Sequence, residues 1–315
     1  MVAFVFPGQG SQYVGMGKAL ADTFPICRQT FEEADDALGR KISRLCFDGP
    51  AEELQLTENT QPAILAMSVS VFRLLSFRGY KSQYMAGHSL GEYSAHVAAG
   101  TLGFADALRL VSRRGRYMQE AVPVGQGAMA VVIGLNGEGI DQACVEAAGD
   151  EVVSAANLNT PSQIAISGHV RAVERAGAKA KELGAKRVVP LPVSAPFHCA
   201  LMKPAEMRLE PELRALVARD PSVPVVANID ATPKQTGKES VEALIRQVSL
   251  PVLWEASVRT MIEMGVSTFL EVGPGRVLTG LIKKTDRSVR VLNVEDPDSL
   301  ASVEAAWESL ANNSQ

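Results

Sequence analysis

The first candidate for chemistry is a serine flanked by two glycines. The segment Gly87-His88-Ser89-Leu90-Gly91 fits the pattern GxSxG, in which the glycines permit a strained turn from a strand into a helix. A short strand is predicted before this segment and a helix after it, which is the context that the pattern requires. We therefore predict that Ser89 is a nucleophile and that the Leu90 N–H can donate to an oxyanion. The alternative is a glycine-rich turn whose serine takes no part in chemistry.

A serine nucleophile needs a base, and the chain has only four histidines. His88 adjoins the serine and should point away from it, His96 lies two turns along the predicted helix, and His169 ends a predicted strand. His198 lies in a loop, where catalytic groups are common, so elimination among the four favours it as the base. A solvated loop histidine that takes no part in chemistry stays an equal alternative. The acid of a triad stays open beside a dyad with a neutral acceptor, since the aspartates between Ser89 and His198 have no distinctive setting: Asp106, Asp141 and Asp150.

An arginine on an apolar helix face is the second chemical signal. A helix is predicted over 104–118, and Arg114 falls within a stripe formed by Phe104, Ala107, Leu108, Val111, Gly115 and Met118. A guanidinium in such a place is costly unless it meets an anion. Two interpretations are equal at this point: a structural ion pair with an internal carboxylate, or a bidentate grip on the carboxylate of a substrate.

These side chains need a framework of strands and helices to bring them together. Val2–Phe6 is predicted as a buried strand, helices are predicted over about 17–38 and 61–78, and a later strand is predicted over Val223–Asn228. Strands and helices alternate along the chain, which predicts an α/β fold with a largely parallel sheet. Over about 125–193 the predicted order becomes βαββαβ, the ferredoxin-like arrangement. We therefore predict a discontinuous large domain, 1–124 and 194–315, a small subdomain, 125–193, and a substrate cleft between them.

Composition excludes several classes of protein. The 315 residues are 46% hydrophobic and 21% charged, with a net charge of −4, which argues against a disordered chain and against a nucleic-acid binder. The four cysteines form no CxxC pair, so neither a metal site nor a disulfide framework is expected. No signal peptide is recognisable, and no stretch was expected to approach the ~20 apolar residues of a membrane span. The prediction is a cytoplasmic protein that binds no membrane.

Over essentially its whole length the chain resembles malonyl-CoA:acyl carrier protein transacylases. The resemblance rests on separate motifs in the family order: Phe6-Pro7-Gly8-Gln9-Gly10-Ser11-Gln12, Gly87-His88-Ser89-Leu90-Gly91-Glu92-Tyr93-Ser94-Ala95, Arg114-Gly115, Gly127-Ala128-Met129, Pro196-Phe197-His198 and Glu271-Val272-Gly273-Pro274-Gly275. It implies a large α/β-hydrolase-like domain with a parallel sheet and an inserted ferredoxin-like subdomain, with the site in the cleft between them.

The resemblance also implies a role for each matching residue. Ser89 would accept the acyl group, and His198 would be its base. The backbone N–H groups of Gln9 and Leu90 would form the oxyanion hole. Arg114 would bind the malonyl carboxylate.

Three further residues receive expectations in the same way. The backbone carbonyl of Gln247 would orient the histidine, which would explain why no acid of a triad was found. Phe197 favours a malonyl substrate, and together with His88 it is expected to line the pocket.

The activity implied is transfer of malonyl from malonyl-CoA to the phosphopantetheine thiol of acyl carrier protein, in fatty acid or polyketide synthesis, by a ping-pong mechanism through an ester on Ser89. No permanently bound cofactor and no metal are implied, and a monomer is expected. Carrier proteins are typically acidic, so Lys186-Arg187 and Lys283-Lys284 are candidates for docking, beside the alternative of solvated charges. Two other functions stay open: a thioesterase or other serine hydrolase, and a non-enzymatic subunit on the same fold.

Overall fold

The computed structural model describes residues 1–193 and 195–312, with side chains described as far as residue 307. In chain order the elements are β1 (Val2–Phe6), α1 (Lys18–Thr23), α2 (Pro25–Leu38), α3 (Ile42–Asp48), α4 (Ala51–Leu54), α5 (Thr57–Phe77), β2 (Tyr84–Gly87), α6 (Leu90–Ala98), α7 (Phe104–Glu120), β3 (Gly127–Ile133), α8 (Gly137–Ala148), β4 (Val153–Thr160), β5 (Gln163–His169), α9 (Val170–Glu182), β6 (Arg187–Pro190), α10 (Lys203–Ala215), β7 (Val225–Val226), β8 (Pro233–Lys234), α11 (Gly237–Gln247), α12 (Trp254–Glu263), β9 (Thr268–Val272), α13 (Val277–Thr285), β10 (Arg290–Val294) and α14 (Pro297–Asn312).

The larger sheet has the strand order β10-β9-β1-β2-β7-β8. Its pairs are parallel except for the short hairpin of β7 and β8. The central strand β1 is buried on both faces, as its run of apolar residues predicts. Because parallel strands end at the same edge, the loops after β1, β2 and β9 all meet above this edge of the sheet. The predicted α/β class is confirmed.

The smaller sheet has the order β4-β5-β3-β6 and is antiparallel throughout. Helices α8 and α9 pack on one face of it around a separate apolar core. This is the predicted βαββαβ arrangement with ferredoxin-like topology. A bridge between Asn157 of β4 and Val252 joins the small sheet to the segment before α12.

Helix α5 passes through the main core and explains two differences from the predictions. By length and composition alone, Thr57–Phe77 could cross a membrane. The expectation that no segment would meet this condition was therefore wrong. However, 78% of the most apolar window of this helix is buried inside the protein. The predicted start of this helix was 61, next to Pro62. The helix begins four residues earlier, so that Pro62 lies inside it. The carbonyl of Glu58, which Pro62 cannot pair with, accepts hydrogen bonds from Arg40 and Ser112 instead.

Other elements are shorter than predicted. The helix expected over about 17–38 is two helices, since Phe24 takes an extended conformation before Pro25, which begins α2. The strand expected over Val223–Asn228 pairs only at β7, after which the chain turns and leaves Asn228 at the edge of the site. The four cysteines are free and buried.

Candidate active site

The turn between β2 and α6 holds Ser89 in a strained conformation. Its φ of 51° and ψ of −107° are rarely adopted by residues other than glycine. The flanking glycines are required by packing. A Cβ on Gly87 would lie 1.9 Å from the carbonyl carbon of Gly91, and a Cβ on Gly91 would lie 2.0 Å from the carbonyl oxygen of Phe6. The GxSxG pattern therefore forms the sharp strand-to-helix turn that was predicted.

Asn228 holds this turn from the neighbouring strand end. Its side-chain oxygen accepts a hydrogen bond from the Ser89 N–H at 2.8 Å, and its side-chain nitrogen donates to the Gly87 carbonyl at 2.7 Å. Sequence reasoning missed Asn228. The only available signal was its place at the end of a predicted strand beside β2.

His198 faces the serine across the cleft. Its Nε2 atom lies 2.7 Å from Ser89 Oγ, while Nδ1 lies 2.9 Å from the Gln247 carbonyl oxygen and 3.2 Å from that of Leu250. Since carbonyl oxygens only accept, the hydrogen belongs on Nδ1, which leaves the Nε2 lone pair directed at the serine. The partner of the histidine is thus a neutral acceptor, and none of the three aspartates considered from sequence occupies that position.

Burial, and then the positive charge of Arg114, lower the pKa of His198 to about 3. The imidazole is therefore neutral at pH 7 and able to take the proton of Ser89 Oγ. Like the serine, His198 has a positive φ, of 57°. Both reacting side chains are thus presented by strained backbone.

Arg114 is 2% exposed and lies beside the serine. Its Nη1 donates to Gln61 Oε1 and its Nη2 to Gln247 Oε1, both at 2.8 Å, and Nη2 lies 3.3 Å from Ser89 Oγ. Tyr93 packs its ring 5.2 Å from the guanidinium carbon. Within the described part of the chain no carboxylate forms an ion pair with Arg114, so the structural ion pair considered from sequence has no partner there.

Gln247 joins the three functional residues. Its side-chain oxygen accepts from Arg114, and its backbone carbonyl accepts from His198. Its side-chain nitrogen, Nε2, donates to the Ser89 carbonyl at 2.8 Å and to Glu92 Oε2 at 2.9 Å. Glu92 is fully buried, and burial raises its pKa to about 7. Sequence reasoning identified only the backbone carbonyl of Gln247. The side-chain contacts and Glu92 were missed, although Glu92 lies in the quoted motif.

The loop after β1 lies directly against the turn of the nucleophile. A Cβ on Gly8 would lie 2.3 Å from the His88 carbonyl oxygen, so only glycine permits this approach. Gln9 follows it and lines the cleft together with Ser89. Among the residues that the structure describes, no acceptor pairs with the N–H of Gln9 or that of Leu90. The role of these two amides in an oxyanion hole stays a prediction.

The cleft is lined by the loops after β1 and β2, by helices α5 and α7, by the small sheet and by the segment that follows β6: Gln9, Gln61, His88, Ser89, Arg114, Met118, Met129, Asn157, Leu191, Val193, Phe197 and His198. His88 points away from the serine, as expected, with its Nε2 2.8 Å from Asn159 Oδ1 and its ring edge-on to Trp254. Burial lowers its pKa, which keeps it neutral. The described residues contain no cluster of histidine, cysteine and acidic side chains that could hold a metal ion.

The predicted basic docking residues lie on the surface. Lys186 and Arg187 are exposed at the start of β6, and Lys283 and Lys284 are exposed in the last turn of α13. Lys284 Nζ donates to Gln163 Oε1 at 3.2 Å, across to the small sheet. A docking role for either pair stays a prediction.

The chain is similar to known proteins over nearly its whole length. The family model described as acyl transferase domain matches residues 3–305. The malonyl CoA-acyl carrier protein transacylase of Escherichia coli K12 is 52% identical over 300 residues, which span 95% of this chain and 97% of that protein. A crystal structure of an acyl carrier protein S-malonyltransferase from Vibrio cholerae superposes with a TM-score of 0.94 and 48% identity, covering 96% of this chain and 99% of the other.

A third relative was solved together with a partner. It is a malonyl-transacylase in complex with its type II polyketide synthase acyl carrier protein, with 50% identity, a TM-score of 0.94, and coverage of 96% of this chain and 98% of the other. The similarity extends over nearly the full length in each case. The chain is an acyltransferase and belongs to the family of malonyl-CoA:acyl carrier protein transacylases.

Proposed function

We propose that the chain transfers malonyl from malonyl-CoA to the phosphopantetheine thiol of holo acyl carrier protein through a malonyl ester on Ser89. The observation that carries the proposal is the buried guanidinium of Arg114, which donates to the Ser89 hydroxyl at 3.3 Å and to two amide oxygens, and which has no carboxylate partner in the described chain. A desolvated cation beside the nucleophile suits an acyl group that ends in a carboxylate.

In the first half of the reaction Ser89 Oγ attacks the thioester carbonyl, while His198 Nε2 takes the serine proton. The carbonyl oxygen becomes an oxyanion, which the N–H groups of Gln9 and Leu90 stabilise. When the C–S bond breaks, His198 returns its proton to the departing thiolate of coenzyme A. The malonyl group remains as an ester on Ser89, with its carboxylate on Arg114.

In the second half the thiol of the carrier protein enters the same cleft. His198 takes the thiol proton, the sulfur attacks the ester carbonyl, and Ser89 leaves with the proton that the histidine returns. Splitting the transfer in this way lets one site serve both thiols in turn. Every group used is a side chain or amide of this chain, so the proposal includes neither a metal nor a resident cofactor.

Several expectations stay part of the proposal. The division into 1–124 with 194–315 and 125–193 agrees with the two sheets, and the cleft lies between them. Acyl carrier protein is proposed as the partner, because a relative of 50% identity was solved in complex with one. A cytoplasmic monomer is proposed on the sequence expectation alone.

The test is a two-step labelling experiment. The protein is incubated with malonyl-CoA labelled in the malonyl group, and holo acyl carrier protein is then added. We expect label on the protein first and on the carrier afterwards. Release of malonate without need of the carrier would favour a hydrolase, and absence of label would favour a non-enzymatic subunit. If the carrier acquires no malonyl group, the proposal fails.

Replacement of the arginine tests its role directly. Arg114→Ala is expected to lower malonyl transfer by about 100-fold or more, since the carboxylate loses its charged partner, while transfer of an uncharged acetyl group is kept or increased. Arg116→Ala, which removes an exposed guanidinium from the same helix, is the control and should leave both transfers unchanged. Equal loss of malonyl and acetyl transfer in Arg114→Ala would mean that the arginine is structural.

A further inference from the structure

We propose that the neutral side chain of Gln61 preserves the preference for a negatively charged acyl group, because it supplies a hydrogen-bond acceptor to Arg114 without neutralising the charge of the guanidinium. This inference rests on the proposed function, in which Arg114 receives the malonyl carboxylate. It assigns a role to a residue of α5 that no sequence motif indicated.

The geometry of the amide leaves little freedom. Gln61 is 1% exposed, and its Oε1 accepts from Arg114 Nη1 at 2.8 Å. A guanidinium has only donors, so the glutamine must present its oxygen to it. The amide nitrogen then faces the thioether of Met118, with Nε2 3.9 Å from Sδ. Gln61 therefore has one strong interaction, and that interaction is with the arginine.

The second partner of the guanidinium is also neutral. Gln247 Oε1 accepts from Nη2 at 2.8 Å. The carboxylate of Glu92 is held on the far side of this amide, where it accepts from Gln247 Nε2 at 2.9 Å. Two amide dipoles thus hold the buried cation in place, and the internal carboxylate is one side chain removed from it.

Neutral partners have an electrostatic consequence. A carboxylate in hydrogen-bond contact would neutralise the guanidinium, and a malonyl carboxylate would then approach a neutral pair with a like charge beside it. Amide oxygens satisfy the N–H groups but leave the positive charge uncompensated. An uncharged acyl group is indifferent to this choice, so the identity of residue 61 should alter selectivity and not the chemistry at Ser89.

The experiment compares the rate of Ser89 acylation by labelled malonyl-CoA and by labelled acetyl-CoA, with no acceptor present. Gln61→Glu changes only the charge at nearly constant shape. We expect its ratio of malonyl to acetyl rates to fall by about 100-fold. Gln61→Met removes the acceptor but adds no charge, so its malonyl to acetyl ratio should stay within about tenfold of the wild type. Gln55→Glu, an exposed position, controls for added charge and should behave as the wild type.

A second route to the same charge covers a failure of Gln61→Glu to fold, which a thermal melt would reveal. Met118→Glu brings a carboxylate from the next turn of α7, and the same shift in ratio is expected. An unchanged ratio in whichever of the two variants folds overturns the inference. So does a shift in Gln61→Met equal to that in Gln61→Glu, since charge would then not be the cause. Absence of malonyl labelling in the wild type would instead contradict the proposed function.

Discussion

Two strand–turn–helix units flank the central strand β1, one on each side. On one side β2 leads through the turn of Ser89 into α6, and on the other β9 leads through Gly273-Pro274-Gly275 into α13. Each unit has a fully buried glutamate, Glu92 in the first and Glu271 in the second. Burial raises the pKa of both to about 7. The two corners are thus built from the same parts, yet only the first contains reacting groups.

The difference lies in where the glutamate is directed. In the second corner the two oxygens of Glu271 accept from the N–H groups of Leu278 and Thr279 at 3.0 and 2.7 Å. The side chain of Glu271 therefore caps the first turn of α13. In the first corner Glu92 accepts from Asn228 and Gln247 instead, and the Leu90 N–H has no acceptor in the described structure. A helix start is a general anion site. Glu271 occupies the one at α13, while the one at α6 has no internal carboxylate among the described residues and agrees with the proposed oxyanion hole.

The two corners also distribute backbone strain differently. The second turn places glycines at its positive φ angles, 135° at Gly273 and 75° at Gly275, whereas the first places Ser89 at 51°. Strain in a residue with a side chain persists only where its surroundings hold it. The second corner packs closely against the loop after β1, since a Cβ on Gly273 would lie 3.1 Å from the ring of Pro7.

The comparison is tested most strongly at the residue that precedes each helix. Ser89→Ala should reduce malonyl transfer by at least about 10⁴-fold, because the acyl group loses its point of attachment. The equivalent position before α13 is Arg276, which is exposed. Arg276→Ala should stay within about twofold of the wild type in the same assay. A large loss of transfer in Arg276→Ala would show that the second corner takes part in the reaction.

Packing of the glycines gives the next largest effect. Gly87→Ala would place a Cβ 1.9 Å from the Gly91 carbonyl carbon, and we expect a loss of roughly 3–5 kcal/mol in the free energy of unfolding. Gly280→Ala, in α13 after the second turn, has no atom within 4 Å of the added Cβ. It should stabilise the protein by about 0.5–1 kcal/mol. Urea denaturation of both variants measures the contrast, and a Gly87→Ala protein as stable as the wild type would contradict the close approach.

The two glutamates should differ in how stability responds to pH. A carboxyl group whose folded pKa of about 7 exceeds its usual 4.5 contributes fully below pH 4.5 and loses that contribution as the pH rises through 7. In Glu92→Gln the oxygen can keep both bonds made by Oε2, and the new amide nitrogen falls where Oε1 has no partner in the described structure. As the pH rises from 5 to 8, the wild type should therefore lose stability that the variant keeps. At pH 8 the free energy of unfolding of the variant should exceed that of the wild type by on the order of 1–3 kcal/mol.

Glu271→Gln should behave in the opposite way. Both of its oxygens accept backbone N–H groups, and an amide nitrogen cannot accept. The variant should be less stable than the wild type already at pH 5. Thermal melts of both variants at pH 5 and 8 give the comparison. Parallel curves for the two variants would mean that the direction of the glutamate is not what separates the corners.

Local patterns predicted the elements well where the signal repeats along the chain. Alternating strands and helices predicted the parallel sheet, and the βαββαβ order predicted the smaller one. The turn of Ser89 was predicted from the GxSxG pattern itself, although only Gly87 is required by a near neighbour in the chain, while Gly91 is required by the distant carbonyl of Phe6. Patterns failed at Pro25 and Pro62, where one proline divides a helix and the other lies inside one, since the outcome depends on which neighbours satisfy the freed carbonyl.

The site residues that were missed share a physical reason. Gln61, Glu92 and Asn228 act through hydrogen bonds to residues that are 53, 136 or 139 positions away in the chain. No periodicity in their own segments records such a contact. The neutral acceptor of His198 is a backbone carbonyl, which any residue could have provided, so residue types alone left the triad and the dyad open.

The sequence by itself determined the elements, the strained turn and the presence of an arginine on an apolar stripe, because these depend on local sterics and on the spacing of apolar residues. Tertiary structure alone decided the meaning of that arginine. The helical pattern of the sequence gave equal weight to an internal ion pair and to a grip on a substrate carboxylate. The choice between them depended on which side chains from α5 and α11 reach the guanidinium. Both are amides, so no carboxylate of the described chain pairs with the cation, and its uncompensated charge supports the proposed grip on a substrate.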